Sequence, residues 1–324
     1  MLDTPVLFLV FNRPDTTRQV FEAIRQAKPR KLFVAADGPR PTHPHDGEKC
    51  RLTRQAALEV DWDCEVKTLF RDDNLGCKYA VSSAIDWFFG QVEAGIILED
   101  DCLPDPSFFG YCRELLHHYR DEPRVMHISG CNWNLHPAGH AASYFFSKYP
   151  TVWGWATWRR AWNSYDVEMR QWPGCKSQLR EGRLFGSRAE WLRWKSYFNI
   201  QHARNIDTWD TQWVMNVWVN NGISITPRLN LVRNLGIGVA EATHTTGEDT
   251  LLGALQPHAL ALPLTHPAQR QTDARHDAYL FEHVYNRWRR QITARQVVHD
   301  ALYRHLPENV KDFYRKVKRQ VLPG

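Results

Sequence analysis

The chain has 324 residues, 43% of them hydrophobic and 24% charged, with a formal net charge of +5. No run approaches the ~20 apolar residues of a membrane span, so a spanning bundle is excluded and one large domain, or a domain with an appendage, is expected. The seven cysteines are scattered without a CxxC pair, which argues against a disulfide scaffold or a zinc site and fits a reducing compartment.

Taken in chain order, the first 130 residues alternate between two periods. Strand-like runs cover Val6–Phe11, Lys31–Ala36, Cys64–Phe70, Gly95–Glu99 and Val125–Ser129. Helix-like segments between them cover Asp15–Ala27, Glu48–Val60, Lys78–Phe89 and Pro106–Arg120. Val20, Ile24 and Ala27 recur at helical spacing, as do Val81, Ile85 and Phe88. Strands alternating with helices of this length predict βαβ units, and so a mainly parallel sheet covered by helices on both faces. The first apolar run lacks a basic leader and ends at Asn12-Arg13-Pro14, so it is read as a strand rather than a signal peptide.

After Gly130 the rhythm breaks. Residues 131–185 are rich in Trp, Gly, Pro and His and suggest loops with short elements. Helices are expected at Arg188–Arg204 and Asp210–Trp218, short strands at Gly222–Pro227 and Leu229–Val232, and a Gly- and Thr-rich loop over 233–256. From about His276 the chain is expected to be helical and basic: Val284 to Gly324 carries ten Lys/Arg against three Asp/Glu. Most of the 14 tryptophans lie between Trp133 and Trp218, and tryptophan faces often line sugar or base sites, although each could equally fill a thick core. The expected division is a domain over 1–255, with halves at 1–130 and 131–255, followed by an extension over 256–324.

Candidate chemistry sits at the strand ends. The acidic triplet Glu99-Asp100-Asp101 follows the apolar run Ala94–Leu98, where ionised carboxylates are costly unless paired or bound to a cation. The other runs end in Phe11-Asn12-Arg13, in Asp37-Gly38-Pro39-Arg40, and in Arg71 followed by Asn74, Gly76 and Lys78. In a parallel sheet all four clusters leave one edge, where ligands of open α/β sheets bind. Their convergence fits a nucleoside diphosphate held with a divalent cation. Asp210 could be a carboxylate base or merely the cap of the helix that follows. Glu190 falls at helix-surface spacing.

The ordered set resembles a known family. Val10-Phe11-Asn12-Arg13-Pro14, Ala36-Asp37-Gly38-Pro39-Arg40, Arg71 to Lys78 and Leu98-Glu99-Asp100-Asp101 look like the nucleotide-sugar half of a GT-A fold glycosyltransferase, in the Glu-Asp-Asp form of the N-acetylglucosaminyltransferase I-like branch. Val152 to Trp158, Thr208 to Trp213, Asn230 to Gly236 and Ala242 to Thr245 resemble bacterial sugar transferases of polysaccharide clusters, so the likeness spans roughly residues 5–247. It implies an α/β GT-A domain with a C-terminal helical extension. It also implies transfer from a nucleoside diphosphate sugar, usually a UDP-sugar, to a glycan or lipid-linked acceptor.

Carried over by motif, Asp101 and His244 would bind Mn²⁺ or Mg²⁺, while Glu99 and Asp100 would lie near ribose, base or diphosphate. Phe11, Asn12, Arg13, Asp37, Arg71, Asn74, Gly76 and Lys78 would complete the donor site. Asp210 would be the general base of an inverting reaction, and Trp153, Gly154 and Trp155 an acceptor-side wall. The match at Asp210 departs from the family pattern, which often has two adjacent acids where Trp209 stands here. A sugar nucleotidyltransferase is a weaker alternative, because Phe11-Asn12-Arg13-Pro14 lacks a Gly-rich phosphate loop. A non-catalytic glycan-binding protein is another. A cytoplasmic location is expected, with peripheral contact at the inner membrane face through the basic C-terminal helices and no nucleic-acid partner.

Overall fold

The computed structural model describes residues 1–134, 139–182, 184–204, 206–237, 250–253 and 255–286. Two compact units are distinguished, Met1–Tyr279 and Leu280–Gly324. The described part of the second is a π-helical turn, Phe281–Tyr285.

In the first unit the elements run β1 (Val6–Val10), α1 (Pro14–Ala27), β2 (Lys31–Ala36), α2 (Asp46–Ala56), β3 (Glu65–Phe70), α3 (Gly76–Phe89), β4 (Ala94–Glu99), β5 (Cys102–Pro104), α4 (Ser107–His118) and β6 (Val125–Ser129). They continue with β7 (Tyr144–Ser147), β8 (Trp155–Trp158), α5 (Arg159–Trp162), α6 (Trp172–Glu181), α7 (Arg188–Arg204), α8 (Asp210–Val219), β9 (Ile223–Pro227), β10 (Val232–Asn234), α9 (Thr250–Gly253) and α10 (Ala274–Leu280).

Eight strands form one sheet in the order β3-β2-β1-β4-β8-β6-β9-β7. The β3-β2-β1-β4 portion is parallel throughout, as is β6 with β9, while β8 runs antiparallel to both β4 and β6, and β7 antiparallel to β9. This is a mixed α/β fold of the Rossmann-like kind. Right-handed crossovers put α1 and α2 on one face of the sheet and α3 on the other, because the strand order reverses at β1. Val6 to Val10 of β1 are buried along their whole length, as a strand covered on both faces must be.

The second half differs from expectation in its strands. Tyr144–Ser147 and Trp155–Trp158 are strands within the main sheet rather than loops. The strand expected at Leu229–Val232 starts at Val232 and ends at Asn234, where it pairs antiparallel with β5. Among the described residues no helix is long and apolar enough to cross a membrane. All seven cysteines are free thiols.

Candidate active site

The parallel strands deliver their polar termini to one edge, and the contacts begin between β1 and β4. The Phe11 backbone N–H donates to Asp100 Oδ2 at 3.0 Å, and Arg13 Nη1 donates to Asp101 Oδ2 at 2.7 Å. The same nitrogen is 3.6 Å from Asp100 Oδ1. Asp100 and Asp101 thus share one guanidinium. Burial pushes the Asp100 carboxyl pKa upward, and the Asp101 charge adds to it. Glu99 is raised by burial and by the charges of Asp101, Asp100 and Asp210. For Arg13, burial works against its charge, but the three carboxylates outweigh it and the pKa rises.

The β5–β10 ribbon closes this cluster from the side. Leu235 N–H donates to the Asp101 carbonyl at 2.7 Å, and a Cβ on Gly236 would stand 2.5 Å from Asp101 Oδ2. The residue at 236 must therefore be small for Asp101 to keep its place. His244, the other expected metal ligand, lies outside the described residues.

Around Phe11 and Asn12 two residues appear that the sequence reading gave no role in the donor site. Arg40 grips the buried Asp46 with Nε at 2.6 Å and Nη2 at 3.1 Å, and Asn12 Nδ2 donates to Asp46 at 2.9 Å. The Arg40 bond in particular holds the Asp46 carboxyl down at about 2. The Arg40 guanidinium lies 5.4 Å from the centre of the Phe11 ring. Arg40 was quoted in the second strand-end cluster, whereas Asp46 carried no sequence signal beyond its place in the first turn of α2.

Asp37, Asn74 and Gly76 come together, but around one another. The Asp37 carboxylate accepts from the backbone N–H groups of Gly38, Leu75 and Gly76 and from Asn74 Nδ2, all at 2.9–3.1 Å. Its lone pairs are spent on the β3–α3 turn, so it shapes that turn instead of reaching outward. Arg71 lies beside Asp37, with Nη2 donating to Ser83 Oγ at 2.8 Å. Lys78 is a correction. Its ammonium is buried and bonded to Glu168 at 2.9 Å, so it is not aimed at a phosphate at this edge. Helical geometry turns position 78 inward, a direction that a linear motif does not show.

The aromatic wall is the second correction. Trp155 is fully buried. Its ring stacks 5.0 Å from His127 and 5.6 Å from Trp209, and Trp213 lies 5.6 Å away on a tilt. Because β8 sits inside the sheet between β4 and β6, every residue of Trp155–Trp158 is buried. Gly154 is a pivot with φ of 61°, where a Cβ would meet Val232 at 2.8 Å. Trp153 alone of the three stays partly exposed, tilted against Trp133 at 4.8 Å. Glu190 is likewise no surface acid: it is buried and takes an ion pair from Lys148 at 2.7 Å.

The same aromatic stack sets the position of Asp210, the first residue of α8. Trp209 packs on Trp155, and the Tyr165 hydroxyl donates to the Trp209 carbonyl at 3.0 Å. Asp210 Oδ1 accepts from the Thr208 hydroxyl and from Thr211 N–H at 2.7 Å. Oδ2 takes no hydrogen bond among the described residues. Asp210 is thus held through one oxygen by Thr208 and Thr211, inside the first turn of α8, and no side-chain cap is made at the start of that helix. Asp210, from the late half of the chain, adds to the negative field at Glu99 and at Cys77.

Among the described residues no three His, Cys, Asp or Glu side chains assemble as a ready metal-binding group. A cation of the Mg²⁺ type asks for less, taking one or two carboxylates and completing its shell with water and substrate phosphate. Asp100 and Asp101, which meet at the Arg13 guanidinium, offer oxygen donors of the kind such a cation takes.

No family model matches the chain, and no curated protein matches it. Among solved structures the chain is similar to HddC from Yersinia pseudotuberculosis, at 9% identity over 51% of this chain and 80% of that one, with a TM-score of 0.30. A likeness of that extent bears on neither family nor activity.

Proposed function

We propose that the chain is a metal-dependent glycosyltransferase of the GT-A type. It would move a sugar from a nucleoside diphosphate, UDP by preference, to a glycan or lipid-linked acceptor with inversion at the sugar carbon. The observation that supports this reading is the meeting of Asp100 and Asp101 with Phe11 and Arg13 where β1 and β4 end together. Asp101 and Asp100 would hold Mn²⁺ or Mg²⁺, which when bound supplies positive charge to the departing diphosphate. Arg13 orients both acids from below. Arg71, beside the Asp37 turn, would meet phosphate oxygens. Asp210 has one oxygen anchored by Thr208 and Thr211, and its other oxygen can take the acceptor hydroxyl proton as the new bond forms. Trp153 is the member of the aromatic motif that remains accessible to an acceptor.

The test is calorimetric titration with a panel of nucleotide sugars, in Mn²⁺ and then in EDTA. Metal-dependent binding of one donor, lost in Asp101→Ala, is the expected result. Binding that is absent in both conditions, or unchanged in the variant, would remove the assignment. The basic stretch from Val284 to Gly324 supports a second, peripheral role at an anionic lipid surface. Co-sedimentation of the full chain with anionic and neutral vesicles would then differ.

A further inference from the structure

Four consecutive backbone N–H groups, those of Leu75, Gly76, Cys77 and Lys78, point at two carboxylates. Leu75 and Gly76 donate to Asp37, as described above. Cys77 N–H donates to Asp207 Oδ2 at 3.1 Å and Lys78 N–H to Asp207 Oδ1 at 2.7 Å. These donors open helix α3, where first-turn N–H groups have no partner within the helix and favour negative charge. Asp207 comes from a turn some 130 residues downstream. Gly76 is what admits it: its φ is 77°, and a Cβ there would stand 2.9 Å from Asp207 Oδ2.

Asp207 lies three residues before Asp210, and short bonds knit the turn between them. Thr208 N–H donates to the Ile206 carbonyl at 2.8 Å, the Thr208 hydroxyl to Asp210, and Gln212 Nε2 to the Thr208 carbonyl at 2.6 Å. Cys77 lies in the field of Asp207, Asp210 and Glu99 together, at the place where the two halves of the site meet.

We propose that Asp207 is a latch: its carboxylate, seated on the first turn of α3, ties the Asp210-bearing turn to the β3–α3 turn and thereby sets where Asp210 stands. It is a positioning residue and acts through Asp210. Its catalytic consequence rests on the glycosyltransferase reading; the latch itself does not. Asp37 fixes the β3–α3 turn to the sheet from one side, and Asp207 fixes the Asp210 turn to it from the other. Position is therefore relayed from β2 to α8 through two carboxylates.

The experiment compares the full-length wild type with Asp207→Ala, Asp207→Asn and Gly76→Ala, each first shown folded by its circular dichroism and thermal transition. Amide hydrogen exchange is read at Cys77, Lys78 and residues 206–212, and alkylation of the Cys77 thiol is read by mass spectrometry. Opening the latch is expected to speed exchange and alkylation in Asp207→Ala and in Gly76→Ala, which unseats the same carboxylate from the opposite side. Asp207→Asn, which keeps one acceptor oxygen, should be intermediate. With a donor identified, kcat should fall about 10- to 100-fold in Asp207→Ala at unchanged donor affinity, the scale of a displaced catalytic group. Unchanged exchange and alkylation in both disrupting variants overturns the latch. Faster exchange with unchanged kcat overturns the positioning role. If Asp210→Asn also leaves kcat unchanged, the failure belongs to the assignment of Asp210 as base, and the latch is judged on exchange and alkylation alone.

Discussion

The polar edge of β3-β2-β1-β4 and the tryptophan-rich stretch from Trp153 to Trp218 both offered candidate site residues as sequence, yet the fold treats them in opposite ways. At the edge, parallel topology delivers Arg13, Asp37 and the Glu99–Asp101 triplet to the same side, where Arg13 bonds Asp101 and Asp37 bonds the β3–α3 turn. In the tryptophan stretch, β8 is inserted between β4 and β6, so Trp155 has a strand on each side and a helix layer over it. Its neighbours Trp162, Trp209 and Trp213 then make a core rather than a wall. Residue type told what each side chain could do, and strand position decided whether it could meet a ligand. The aromatic core still serves the site, because it is the floor on which Asp210 is seated.

That contrast can be broken or sharpened by substitution. The largest effect is expected at Asp210: Asp210→Asn should lower kcat by ~10²–10⁴ while leaving donor binding intact, since the amide keeps the oxygen held by Thr208 and Thr211 and the proton acceptor is lost. Trp155→Ala comes next, with a stability loss of about 3–5 kcal/mol in chemical denaturation. An acceptor wall would instead give weaker acceptor binding at unchanged stability, so the two readings separate in one experiment.

A third effect concerns acid. His127 receives a hydrogen bond from Trp213 Nε1 at Nδ1, 3.1 Å away, and its Nε2 lies 2.9 Å from the Thr151 carbonyl, so both bonds are made by the neutral ring. Burial pushes its pKa from 6.5 down to about 3. Below pH 6.5 the unfolded chain binds a proton there and the folded chain does not. This residue's share of stability is therefore lost as pH falls through that window, by about 1.4 kcal/mol per pH unit. Denaturation midpoints at pH 7 and 4.5 should converge in His127→Asn relative to wild type, and parallel curves would refute the assignment. The smallest effect is expected for Lys78→Met. Donor affinity should stay at the wild-type value, because the ammonium faces Glu168; a clear loss of affinity would return Lys78 to the phosphate site.

Much of the early half was legible because it depends on local rules. Period and turn chemistry placed β1 to β4 and the helices between them to within a few residues, and α2 ended early at Ala56 where the expected segment ran to Val60. The strands of the later half were poorly legible. β8 is short, aromatic and antiparallel, and its identity depends on partners 60 residues upstream, to which a sequence window is blind. Asp46, Asp207 and Glu168 were missed for a related reason. Each is an ordinary acid in its own neighbourhood and gains its role from a partner elsewhere: Asp46 from Asn12 and Arg40, Asp207 from the α3 N–H groups, and Glu168 from Lys78.

What the sequence by itself determined is the alternation that builds a parallel sheet and the chemistry that arrives at its edge. Both follow from hydrophobic period and from the rule that parallel strands end on one side. What only the tertiary structure decided is which polar groups are consumed by one another and which face outward. Asp37 is spent on its own turn, Lys78 on Glu168 and Asp207 on a helix terminus, while Asp210 is left with one oxygen that takes no hydrogen bond among the described residues. The physical reason is that a buried polar group must find a partner, and the nearest partner in space is seldom the nearest in sequence.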